Sequence, residues 1–234
     1  MTMGTATITG RAKRIRRRGS GAMFNYLRDA AKIYEKSFGI VRAETDLSRF
    51  SAAEAGVVVR LVHAVGEPAI ARDLAAAGDW LAAGRQALAD GAAVLVDSQM
   101  VAAGIQQGNL PGENPIVCTL TDQRVPKIAR LLGNTRSASA VELWRPRLLG
   151  AVVAIGNAPT ALFRLLEGLA EGWPKPAAIL AFPVGFVGAA ESKDALIQHA
   201  QGVPYLTLRG RRGGSALAAA AVNGLAAGLA EDAP

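Results

Sequence analysis

The sequence predicts one doubly wound α/β domain built on a mainly parallel, five-stranded sheet. Three observations carry that expectation. Five apolar runs of strand length recur along the chain, each is followed by a helical stretch, and each is continuously hydrophobic rather than alternating. Continuous runs belong to strands covered on both faces, which is what helical layers on either side of a parallel sheet provide. A chain of 234 residues is long enough to bury a sizeable core in such a domain. Its ligand is then expected beyond the carboxyl ends of the strands.

The elements follow in order. Residues 1–22 read as a solvated basic tail: Arg11, Lys13, Arg14, Arg16, Arg17 and Arg18 hold six of the seven net positive charges, and no acid opposes them there. Met23 opens a different texture and is a candidate start of the folded chain, which places the domain at 23–234. A helix is expected at 26–36, and a second after Ser51, whose hydroxyl can cap it with Glu54 at the capping-box position. That helix carries Val58, Val59, Leu61 and Val62 and reaches His63 in its last turn before Gly66. A third helix is expected at 79–90. The five strands fall at 93–97, 115–120, 151–155, 177–182 and 204–208. Helical stretches follow them from Gln99, through Leu132 and over 137–149, over 160–169, from Glu191 and from Ser215.

Composition excludes several function classes. Without the tail the chain is nearly neutral, which argues against a nucleic-acid surface. Cys118 is the single cysteine and His63 and His199 are the two histidines, so no disulfide and no Cys- or His-rich metal site is expected. No apolar run reaches membrane-spanning length, and the basic leader lacks the apolar segment of a secretory signal. A cytoplasmic protein is the expectation.

Common catalytic signatures are missing. Gly156 follows a strand without G-x-G-x-x-G spacing, and there is neither a GK[ST] loop nor a G-x-S-x-G elbow. The Gly210-Arg211-Arg212-Gly213-Gly214-Ser215 segment enters a helix and reads as a tight glycine turn rather than an anion site. By titration range His63 is the candidate acid–base group, although a lone histidine at a helix end is more often structural. Arg136 follows Gly133-Asn134-Thr135 at a helix start, where a cation opposes the helix dipole, so a carboxylate ligand is the better reason for it.

The residues also resemble the precorrin-8X methylmutase family. The blocks are Ile33-Tyr34-Glu35-Lys36-Ser37-Phe38, Ile40-Val41-Arg42-Ala43-Glu44, Asp46-Leu47-Ser48-Arg49-Phe50, Arg60-Leu61-Val62-His63 and Val117-Cys118-Thr119-Leu120. They continue in Leu132-Gly133-Asn134-Thr135-Arg136-Ser137, in the stretch from Val153 through Gly156-Asn157-Ala158-Pro159 to Leu162, in the stretch from Pro183 to Glu191-Ser192-Lys193, and in Arg209-Gly210-Arg211 with Gly213-Gly214-Ser215-Ala216. The resemblance implies a flavodoxin-like fold and an isomerase without a cofactor. Its reaction would move the methyl on carbon 11 of precorrin-8X to carbon 12, giving hydrogenobyrinic acid, or act on cobalt-precorrin-8. It further implies a homodimer with sites near the subunit boundary, a catalytic His63, and substrate contacts from Ser37 and Arg136. It also offers Arg42, Lys193 and Arg209 as further contacts to the carboxylates of the tetrapyrrole. The chain departs from the family over 103–109, Ala-Gly-Ile-Gln-Gln-Gly-Asn, where His and Arg are common. The other class of reading is a non-catalytic tetrapyrrole carrier.

Overall fold

A computed structural model of the chain describes residues 24–229, so the basic tail lies outside the described residues. The helices are α1 (Ala30–Glu44), α2 (Ala52–Val65), α3 (Ile70–Asp73), α4 (Trp80–Ala89), α5 (Gln99–Gly104), α6 (Val125–Leu132), α7 (Arg136–Val141), α8 (Pro159–Ala170), α9 (Ala189–His199) and α10 (Ser215–Ala226). The strands are β1 (Leu74–Ala77), β2 (Val94–Val96), β3 (Ile116–Cys118), β4 (Val152–Ile155), β5 (Ala178–Ala181) and β6 (Tyr205–Leu208).

All six strands form one sheet in the order β1-β6-β5-β4-β2-β3. The five expected strands pair in parallel, and their order is the 2-1-3-4-5 of flavodoxin-like folds. Among the described residues the expected count of five is corrected to six. β1 adds an antiparallel edge to β6, with Leu74 opposite Leu208 and Ala77 opposite Tyr205. Leu-Ala-Ala-Ala carries almost no strand preference; its pairing comes from the neighbour rather than from its own side chains.

Alternate residues of the strands feed two cores. Val94, Val96, Val152, Ala154, Leu180 and Leu206 pack under α2, α4, α5 and α10. Leu95, Val153, Ile155, Ile179 and Ala181 pack under α7, α8 and α9. Two helices differ from expectation. The first starts later and runs further, because Asp29 caps it by accepting from the Ala31 and Lys32 amides. The stretch over 137–149 tightens into a 3-10 helix at Glu142–Arg147, where Pro146 lacks the N–H an α-helix needs.

The crevice between β2 and β4, where the strand order reverses, is closed by Asp97. Its carboxylate accepts from the amides of Gly156 (2.9 Å), Asn157 (2.9 Å) and Ala158 (2.6 Å). Burial pushes the Asp97 carboxyl above its ordinary range, an effect the three amides oppose. Gly156 admits α10 here: a Cβ would lie 2.7 Å from the Ser215 Cα.

Candidate active site

His63 is presented by a helix with a well-defined start and stop. Ser51 and Glu54 form the expected capping box, and Gly66 ends α2 in the left-handed conformation at φ 68°. Six of its apolar residues, Ala55, Val57, Val58, Val59, Leu61 and Val62, are buried, which leaves Arg60 and His63 on the outer face. Helix α1 packs across that face. Its Ser37 Oγ lies 2.8 Å from His63 Nδ1, a hydrogen bond open to either tautomer. The Tyr34 and Phe38 rings flank the imidazole, with centroids 5.5 and 5.3 Å away.

The imidazole opens on a cleft of about 380 Å³ lined by α1, α2, α5 and α10. Tyr34, Arg60, His63, Gln106, Ala220 and Asn223 are among its walls. Asn223 holds the far rim in place: its carbonyl accepts from the Gln106 amide at 2.9 Å and its amide donates to Gly104 O at 3.0 Å. The neutral segment over 103–109 therefore borders the His63 cleft. Sequence reasoning missed Arg60 and Tyr34 as lining residues. The available signal was spacing, since each stands three positions before a candidate, His63 and Ser37, and so on the same helix face.

The other sequence candidates are dispersed. Arg136 begins α7 on the opposite layer, behind Thr135, which caps that helix by accepting from the Ala138 amide. Its guanidinium is exposed and donates to Leu120 O at 3.4 Å. Arg42 is exposed in the last turn of α1. Arg209 is exposed at the end of β6, 3.9 Å from Asp194. Lys193 is fully buried, and its ammonium donates to Arg212 O at 2.6 Å. Burial lowers its pKa to about 8. Arg212 in turn pairs with Glu67, just past the end of α2, and with Asp73 before β1.

The Gly210-to-Ser215 segment is a tight turn, as expected. Gly210 and Gly214 have φ of 78° and 126°, and a Cβ on Gly213 would collide with the Phe182 and Pro183 carbonyls. The Asp46-to-Phe50 block serves the fold: Arg49 donates to Ala71 O and Leu74 O, both at 2.7 Å. Among the described residues no three His, Cys, Asp or Glu side chains cluster as metal ligands, and no helix is long and apolar enough to cross a membrane.

Comparison with known proteins adds an independent line. Residues 32–227 match the family described as precorrin-8X methylmutase. A precorrin-8X methylmutase of Sinorhizobium is 57% identical, over 87% of this chain and 97% of its own. One from Pseudomonas aeruginosa is 55% identical over 87% and 98%. The crystal structure of a precorrin-8X methylmutase from Thermus thermophilus superposes with a TM-score of 0.78 at 36% identity, covering 87% of this chain and 98% of that one.

Proposed function

This chain belongs to the precorrin-8X methylmutase family and is an isomerase of cobalamin biosynthesis, and we propose that His63 moves the proton in its reaction. The reading takes precorrin-8X to hydrogenobyrinic acid by moving the methyl on carbon 11 to carbon 12. The metal-free substrate is preferred because the relatives at 57% and 55% identity carry that name. The observation behind the catalytic role is the position of the imidazole: it faces a cleft wide enough to admit part of a ligand, with one nitrogen held by Ser37.

An isomerisation conserves protons, so the group that gives one must recover one. An imidazole with an unperturbed pKa of ~6.5 does both near neutrality. The Ser37 hydroxyl on Nδ1 orients the ring and leaves Nε2 without a partner among the described residues. In this reading Nε2 gives a proton to the conjugated ring system, which weakens the bond holding the migrating methyl, and takes a proton back once the methyl has settled. Arg136, Arg42 and Arg209 supply cations to the carboxylate arms, and Lys193 acts from inside by holding the Arg209–Gly214 turn in shape.

The working unit in this reading is a homodimer in the cytoplasm. α1 buries only Val41 and leaves Ile33, Tyr34 and Ile40 exposed by 45–46% beside the cleft. Arg136 stands on the layer opposite His63, so a second copy is the simplest way to bring it to the same ligand.

His63→Ala tests the central point. Turnover of precorrin-8X, followed by its visible spectrum, should fall by ~10²–10⁴-fold while hydrogenobyrinic acid still binds. Near-normal turnover would remove His63 from the chemistry. Running the same assay with cobalt-precorrin-8 decides which substrate is used.

A further inference from the structure

We propose that Asp97 is a positioning residue for the reaction: a carboxylate of the chain's own, seated where other doubly wound domains seat the anion of a ligand, that locks one wall of the His63 cleft. The inference rests on the His63 reading above, since the wall it fixes belongs to that cleft.

The place is set by the sheet. Asp97 is the first residue after β2 and Gly156 the first after β4, two parallel neighbours at the point where the strand order reverses. Ligands of doubly wound domains gather at such a crevice, and backbone amides entering a helix there hold their negative groups. Here the Asp97 side chain takes the amides of Gly156, Asn157 and Ala158. Ala158 is the N-cap of α8 and has no side-chain oxygen to offer that helix. Asp97 is only 4% exposed, and among the described residues no Lys, Arg or His pairs with it. A carboxylate held in this way keeps its position, because any departure strands three N–H groups and two oxygens without partners.

Two helices lean on that clamp. Ser98, next in the chain, caps α5 by accepting from the Val101 amide at 3.4 Å. Its hydroxyl lies 3.3 Å from the Ser215 hydroxyl at the start of α10. Gly156 presses on the same helices: a Cβ there would lie 2.7 Å from the Ser215 Cα and 2.9 Å from Val101 Cγ2. Further along, Gly104 and Gln106 at the end of α5, with Ala219, Ala220 and Asn223 of α10, line the His63 cleft. Asn223 ties those two segments together at the rim. A shift at Asp97 therefore moves the wall that α5 and α10 share, relative to the imidazole that α2 carries.

Removing the carboxylate leaves a gap that a free one can refill. Asp97→Ala and Asp97→Asn are compared with the native chain in turnover of precorrin-8X, at a temperature where circular dichroism shows each to be folded, with sodium formate, formamide or sodium chloride added. For Asp97→Ala kcat should fall about 10- to 100-fold, the loss that a misplaced site wall brings, and of the three additives formate alone should restore part of it. Formate should also raise the Tm of Asp97→Ala and of neither other chain. Asp97→Asn should be slow and unresponsive to formate, since its amide fills the space while setting N–H against N–H. Native kcat in Asp97→Asn would overturn the proposal, even where Asp97→Ala fails to fold. So would a Tm that formate restores while kcat per folded chain stays native throughout, the mark of a carboxylate that serves the fold alone. Near-normal turnover by His63→Ala would instead overturn the reading on which the proposal rests, whatever formate does to Asp97→Ala.

Discussion

Lys193 shows how one buried charge can be tied to the end of the helix that carries His63. Its ammonium is buried and donates to the Arg212 carbonyl, and Arg212 reaches Glu67, four residues beyond His63. Removing water from a cation disfavours its charged form, which is why the pKa falls from 10.5 to about 8. The consequence for stability has a definite sign. Between pH 8 and 10.5 the unfolded chain still holds the proton that the folded chain has released, so raising the pH across that window favours the fold through this group. Lys193→Met lacks the titration. The difference in Tm, native minus variant, should therefore climb from pH 8 to 10.5 and level off above. A difference that stays flat would show that Lys193 titrates as it does in the unfolded chain.

At the scale of the element, α2 carries the burden of placing His63, and its two ends do so by different means. The start relies on side chains, Ser51 and Glu54; the stop relies on backbone freedom at Gly66. A Cβ on Gly66 would meet nothing within 4 Å, so the cost of Gly66→Ala is conformational alone. It should amount to about 1–2 kcal/mol in a denaturant titration, and Gly66→Asn should cost less because asparagine tolerates the left-handed region. Equal losses for the two variants would mean that the turn does not need that conformation. These signals were legible because they are local: a capping box, a terminal glycine and an apolar stripe all fall within a few residues of each other. β1 was not, since three alanines form a strand only when β6 is beside them. Nor was the start of α1, where Asp29 rather than the first apolar residue sets the boundary. The site divides the same way. His63 stood out by its chemistry and Ser37 by family resemblance, but their contact spans 26 positions and exists only because α1 packs on α2. Arg60 was overlooked for the same reason: its partners Tyr34 and Phe38 are on that other helix.

For the whole molecule, the sheet separates what the proposed chemistry must unite. His63 and Arg60 belong to the layer of α2 and α10, whereas Arg136 belongs to the layer of α7 and α8. If each site draws Arg136 from a second copy, two inactive variants should repair one another. In a two-fold dimer the same patch serves both subunits, so a mixed dimer of His63→Ala and Arg136→Ala has one site with both residues intact and one with neither. Equimolar mixing after subunit exchange makes half of the dimers mixed, and activity should return to about a quarter of the native value per subunit. The exchange itself is followed by mass, using one variant labelled with heavy isotopes. Mixed dimers without recovered turnover would place Arg136 and His63 of one subunit in the same site. Variants that never exchange and sediment as monomers would remove the second copy from the mechanism, leaving Arg136 to act on its own layer, where its guanidinium already reaches the Leu120 carbonyl, two residues past β3.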